Sequence, residues 1–506
     1  MSIATTTNFE TAPARPLAMP LMLATGCVAL ADWLFYDWDI GVSLALFLGV
    51  LGVAALFSNR IHVSGKTRIA LLAIFIAGLL PLVEEVNFLS VCIATLTTAM
   101  SVIALTSRHA TSWQRQLFEA ATIPFRGAFQ LASETIGALR HMKLWTPAWL
   151  GWLVAWIVPL TVFAIFLTLF SSANPLIEHR LMQIDFRALL ALINSWRLAF
   201  WVVVTCLIWP LIHRHIKSRH AREAVPAPTG AAAASDLDYL LGPLAITRSL
   251  VLFNALFALQ SALDLTYLWG GATLPDGMSY ASYAHRGAYP LIVTALLAAG
   301  FVLIAMRPSG PAEQSRLIRP LVLIWIAQNI LLVISSIFRL DLYIAAYSLT
   351  YLRLTAFIWM GLVAAGLVLI LAQIVLRKST YWLLTTNAIA LALVLYGCCF
   401  LNAPWLVATY NVEHSREVSG TGQNLDWRYL RCLGPQALPA IERHREKFPQ
   451  FWTSQCPCQT NTREAFVSST LVSKNWRDWS FRAWRLKQYF ANNPVNTPSP
   501  PAGGQG

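Results

Sequence analysis

Two arginines, an aspartate and three tyrosines stand within FRLDLYIAAYSLTYLRLTAFIWM (residues 338–360), between two runs of almost pure hydrocarbon. Arg339, Tyr343, Tyr347 and Tyr351 are four apart, so on one helix they share a side and drift slowly around it. A second polar stretch, YASYAHRGAY at 280–289, supplies Tyr280, Tyr283, His285 and Arg286. Asp264, Asp341, Glu84 and Glu85 offer counter-charges. Guanidinium forks match phosphate geometry, and tyrosines stack on sugars or hydrogen-bond to them. If Arg286, Tyr280, Tyr283, Arg339, Tyr343, Tyr347, Arg353, Asp264 and Asp341 converge, they form a cleft for an anionic or sugar-phosphate headgroup. The competing reading is plainer: arginines snorkel at helix ends, and tyrosines line the membrane interface.

The elements that must position these groups are membrane spans. The 506-residue chain is 57% hydrophobic and 12% charged, with a mean hydropathy of +0.56. Soluble domains carry about 25% charged residues. The twenty tryptophans suit a bilayer interface. The net charge of +13 comes largely from short basic loops between apolar runs, which orients a membrane protein and argues against nucleic acid as a partner. No clear internal repeat is present, which lowers an inverted-repeat transporter.

Apolar runs of spanning length fall at about 17–36, 41–57, 68–83, 87–106, 147–170, 197–212, 246–268, 288–306, 319–337, 354–376 and 381–401. Lys and Arg cluster after every second run: Arg60, Lys66 and Arg68; Arg108, Arg115, Arg126, Arg140 and Lys143; Arg214, Lys217, Arg219 and Arg222; Arg307, Arg316 and Arg319; Arg377 and Lys378. The other connections are poorer in these residues, or acidic, as at Asp37, Asp39, Glu84 and Glu85. By the positive-inside rule the N-terminus is cytoplasmic and the tail is outside. Arg15 and Ala29-Leu30-Ala31 resemble a signal peptide, but Asp32 to Tyr36 continue the run into an interface-like end, so the first run is expected to stay as an anchor.

The expected fold is an all-α polytopic bundle of about eleven spans with a small, mainly helical C-terminal extramembrane domain. It divides into an N-terminal tail (1–16), four spans (17–106), cytoplasmic surface helices (107–146) and spans five and six (147–213). A basic, then Ala/Pro-rich linker (214–243) leads to spans seven to eleven (244–401), an external domain (402–491) and a disordered end (492–506). In the surface segment Trp113, Phe118, Phe125 and Phe129 recur at helical spacing beside Arg115 and Arg126, which suits a helix on anionic lipid. In the tail Trp476, Trp479, Ala483, Leu486 and Phe490 recur at steps of three and four, which predicts an amphipathic helix. Of the eight cysteines, Cys432, Cys456 and Cys458 lie in the tail. An external tail permits a disulfide, and Cys432 with either Cys456 or Cys458 is the expected pair, because the last two are too close for an easy mutual bridge. No metal-ligand spacing is present, and neither a metal nor a cofactor is expected.

The polar blocks also resemble a known family. SYASYAHRGAY and the Arg339, Leu342, Tyr343, Tyr347, Leu349, Thr350, Arg353 series resemble blocks of the bacterial membrane family called domain of unknown function 4173, related to family 4153. So do Asn402, Tyr410 and Asn411 in LNAPWLVATYNVEHS, and Asp426, Tyr429, Leu430, Leu433, Gly434 and Pro435 in LDWRYLRCLGPQALPAI. The resemblance covers about residues 245–440. This chain departs from the pattern at Ser348, where a glycine is expected, at His285 for arginine, and at Ala403, where asparagine usually precedes Pro404. The resemblance implies a multi-pass bacterial inner-membrane protein and brings no activity with it.

No P-loop, dinucleotide fingerprint, HExxH or GxSxG elbow is present. Three functions remain. The first is a non-enzymatic envelope or signalling component, with the bilayer and a protein bound through the tail as partners. The second is an enzyme acting on a lipid-linked substrate at the outer face, with Asp37 or Asp39 as base or metal ligand. The third is a transporter using Asp264 and Arg248.

Overall fold

A chain in lipid must satisfy its backbone polar groups internally, so each apolar run closes into a helix. The computed structural model describes residues 18–107, 112–141, 195–214, 243–269, 317–448 and 475–494, with the single positions 159, 293 and 297. Among the described residues every regular element is helical. They are α1 (Ala18–Phe35), α2 (Val42–Ser58), α3 (Gly65–Glu84), α4 (Phe88–Thr106), α5 (Trp113–Ala121), α6 (Ile123–His141) and α7 (Ser195–Ile212). There follow α8 (Pro243–Leu263), continued by a π-helical turn (Asp264–Trp269), then α9 (Ile318–Tyr347), α10 (Tyr351–Val375), α11 (Thr380–Phe400) and α12 (Ala403–Glu413). Short helical turns make up the described tail, which ends in a helix over Phe481–Asn492.

Seven of these helices are long and apolar enough to cross a membrane, and α2 and α7 are shorter apolar helices. Nine of the expected spans are therefore helices, and the protein is an all-α polytopic membrane protein. Expected spans five (147–170) and eight (288–306) lie outside the described residues, apart from the single positions. Leu384, Ile389 and Leu393 of α11 and Leu352 and Val368 of α10 are exposed. In water such faces would drive association; in lipid they are solvated.

The chain divides into two compact units, Met1–Ser218 with Ser473–Arg482, and Arg219–Val472 with Ala483–Gly506. In the first, Ala24, Cys27, Ala31 and Leu34 make one buried face of α1, and Ala45, Leu48, Ala54 and Ala55 are buried on α2. Small residues let helices approach where lipid supplies no hydrophobic drive. At Gly78 of α3 a Cβ would lie 2.5 Å from Thr97 of α4, so the crossing excludes anything larger. A reciprocal capping box between Asn87 and Ser90 starts α4. At the end remote from residues 475–482, Asn59 donates to the carbonyls of Leu211 (2.9 Å) and Ile212 (3.0 Å). Arg214 there reaches the Ile103 carbonyl (3.0 Å) and Thr106 (2.9 Å). Its guanidinium is held below the usual range by burial, partly offset by Glu119. α5 and α6 lie at this same end, where Gln130 donates to the His213 carbonyl at 2.7 Å.

In the second unit one core runs from the spans into the tail. Ile246 and Leu250 of α8, Val322 and Trp325 of α9, and Met360 and Leu367 of α10 join Val407 and Val412 of α12, then Leu430, Ile441 and Phe448. Among the described residues the tail shares its core with the spans. α9 runs through the expected end of span nine to Tyr347, and the chain breaks at Ser348–Thr350 before α10 starts. The tyrosine series therefore falls on two helices: Tyr343 and Tyr347 end one, and Tyr351 begins the next.

Candidate functional site

Asp264, Arg339, Tyr343, Tyr347 and Arg353 divide between two neighbouring arrangements along α9. At the first, Asp264 begins the π-helical turn after α8, and its carboxylate accepts hydrogen bonds from Gln260 (2.9 Å) and from the Arg339 guanidinium. The two side chains are 1% and 3% exposed. Buried charges persist in a bundle only when paired, and π-turns concentrate where a helix departs from regular packing. Ser261, one turn before Asp264, and Ser336, one turn before Arg339, are buried as well. Trp269 closes over Phe338 with centroids 4.9 Å apart.

One turn further along α9, Arg353 folds back from α10 and donates to the carbonyls of Tyr347 (2.6 Å) and Ser348. Its guanidinium lies 4.4 Å over the Tyr343 ring and 5.9 Å over the Tyr347 ring. A cation on the last carbonyls of a helix offsets their partial negative charge. Arg353 therefore caps α9. Between the helices, Asn411 of α12 accepts from the Leu349 N–H (2.6 Å) and donates to the Leu349 carbonyl (2.9 Å). The Tyr429 hydroxyl accepts from the Tyr351 N–H at 2.8 Å, and Thr350 caps α10. Asn402 and Asp426 cap the short helices that bring Asn411 and Tyr429 into place.

Ser348 has φ +66° and ψ 166°, a region left almost entirely to glycine. That is the physical reason for a glycine in the pattern this chain departs from. Burial raises the Tyr429 phenol, against the lowering effect of the hydrogen bond from Tyr351. Burial also raises Tyr410, helped by the negative charge of Asp341. Asp341 itself is exposed.

Tyr280, Tyr283, His285 and Arg286 lie outside the described residues, as do Cys456 and Cys458. Cys432 is exposed and pairs with no cysteine among the described residues. Among the described residues no group of three or more His, Cys, Asp or Glu could hold a metal ion.

The first unit holds polar structure that the sequence did not disclose. Arg482 binds Glu84 (3.2 Å) and Glu85 (2.6 Å), the two acids expected to serve the cleft arginines. Asp32 of α1 accepts from Arg197 Nε (2.8 Å) and from Trp201 (2.8 Å) of α7. The segment before Arg482 is not the continuous amphipathic helix expected: Trp476–Asp478 is a 3₁₀ turn, and the regular helix starts at Phe481. The Trp479 carbonyl accepts from the Val42 N–H at 2.8 Å. A Cβ at Gly41 would lie 2.3 Å from the Asp478 backbone, so only glycine lets the two segments meet. Beside them is a cavity of about 340 Å³, lined by Asp37, Trp38, Asp39, Asn475, Arg477 and Asp478 among others.

The model of the family described as domain of unknown function DUF4153 matches residues 45–444. The chain belongs to this family. The match reaches well before residue 245, where the sequence resemblance began, and it names family 4153; the link to family 4173 stands as a resemblance only. No curated protein and no solved structure matches the chain.

Proposed function

We propose that this DUF4153 member is a non-enzymatic component of a bacterial inner membrane, with its tail domain outside and presented to an envelope or signalling partner. The observation that carries this reading is the use made of Arg353, Asn411 and Tyr429. Side chains of the kind that build a catalytic cleft are occupied instead in fixing a domain to a turn between two spans. A domain so fixed offers a defined surface, on which Glu413, Arg416, Arg428 and Arg443 are exposed. The outside location is supported by the Lys and Arg clusters of alternate connections. The exposed Phe118, Phe125 and Phe129 of α5 and α6 support a seat for those helices on the cytoplasmic leaflet.

The test is site-specific photo-crosslinking in living cells from positions 413, 416, 428 and 443. A discrete protein adduct confined to a subset of these positions is expected. No adduct from any of them, in cells that depend on the protein, would overturn the reading.

An external tail also permits the Cys432 bridge to Cys456 or Cys458, which would add about 2–4 kcal/mol to so small a domain. Non-reducing peptide mapping should recover the linked peptides; three free thiols would remove the proposal.

A second reading, an enzyme acting on a lipid-linked or anionic headgroup at the outer face, is favoured by the cavity beside Asp37 and Asp39. It predicts that purified protein converts such a substrate and that Asp39→Asn abolishes conversion. Lipid extracts left unchanged by the purified protein would reject it.

A further inference from the structure

Arg477 and Arg482 are five residues apart in the chain and both are buried, yet their surroundings differ. Arg482 has two carboxylates. Arg477, 7% exposed, is held among the described residues by aromatic rings: its guanidinium carbon lies 4.5 Å from the Trp33 centroid, 4.7 Å from Trp38 and 5.5 Å from Trp476. Its Nε is buried without a hydrogen-bond partner. Among the described residues no carboxylate comes within 4.0 Å of its nitrogens. Ring faces stabilise a cation but neutralise none of its charge and accept none of its directed hydrogen bonds in the guanidinium plane. A buried guanidinium so placed is a receptor for an anion, and its fork matches phosphate oxygens.

The cavity beside it gives that anion room. About 340 Å³ is at the small end of ligand pockets and suits a headgroup rather than a whole lipid. Arg477 lines it together with Asp37, Asp39 and Asp478. Carboxylates repel a bare anion, but they accept hydrogen bonds from hydroxyls and pair with an ammonium. The cavity also adjoins the end of α1, at the level where a span meets headgroups, and Trp33, Trp38 and Trp476 are the interfacial tryptophans expected there. Asp37, at φ +61°, turns the chain sharply at this point.

We propose that Arg477, in its tryptophan cage, binds the phosphate of a phosphate ester whose other end carries an ammonium or hydroxyl groups received by Asp37, Asp39 and Asp478. A phospholipid headgroup has this chemistry, and so has a small soluble phosphate ester. The site does not depend on the tail-partner reading above, and it requires no catalysis.

Full-length protein in detergent is incubated with short-chain phosphatidylethanolamine, phosphatidylglycerol, diacylglycerol or soluble phosphoethanolamine, and bound ligand is counted by native mass spectrometry. Both phospholipids should be retained and diacylglycerol should not. Arg477→Lys keeps the charge and loses the fork, and should weaken retention by about tenfold or more. Asp39→Asn should weaken the ethanolamine lipid more than the glycerol lipid. Retention of phosphoethanolamine without either phospholipid would support the site and assign it to a soluble ester. Diacylglycerol retained as well as the phospholipids, or phospholipid retention unchanged in folded Arg477→Lys and Arg477→Ala proteins, would overturn the proposal.

Discussion

At the scale of single residues, Ser348 and Asn411 make opposite predictions. A side chain at φ +66°, ψ 166° costs on the order of 1–3 kcal/mol. Ser348→Gly should therefore raise thermal stability in detergent by about 1 kcal/mol or more, even after allowing for glycine's greater freedom in the unfolded chain. An unchanged or lower melting temperature would mean that the turn is not strained. Asn411 saturates both backbone groups of the buried Leu349. Asn411→Ala leaves a buried N–H and carbonyl without partners, at about 1–3 kcal/mol each. It should lower stability and open the tail to limited proteolysis ahead of the spans; a wild-type digestion pattern would contradict the clamp. Both residues stood in the sequence, Ser348 as a departure from a family pattern and Asn411 as part of one. Their geometry was not legible, because it depends on a turn packing against residues more than sixty positions away.

At the scale of elements, the pairing of Asp264 with Arg339 ties the end of α8 to α9. Removing one partner takes the ion pair from a buried charge, so Asp264→Ala or Arg339→Ala should cost about 3 kcal/mol or more. Replacing both, as in Asp264→Leu with Arg339→Met, should recover most of that loss. Equal melting temperatures for the wild type and both single variants would show that the pair does not hold the helices. The sequence made this pair legible in outline, since Asp264 was singled out as a carboxylate that an arginine should reach. For Arg353, expected as one wall of a cleft, the sequence did not disclose that its guanidinium folds back to cap α9. The break at Ser348 was masked because apolar and aromatic periodicity runs straight through it. Trp476 and Trp479 misled in the same way: their spacing matched a helix, but contact with the α1–α2 connection holds them in a 3₁₀ turn and an extended stretch. The spans were legible because hydrocarbon runs of this length have one solution in lipid.

At the scale of the molecule, the ends of the spans can be followed within each compact unit. In the second unit the tail lies at the same helix ends as the turn Ser348–Thr350. In the first, residues 475–482 lie with the α1–α2 connection and Glu84–Glu85. The alternation of Lys and Arg supports an outside location for these ends and an inside location for the basic connections. The most direct measurement is a pair of side-specific reporter fusions, one after the tail and one in the 214–235 connection. A tail reporter active only outside the cytoplasmic membrane and a connection reporter active only inside are expected. A tail reporter active only in the cytoplasm would contradict the outside location.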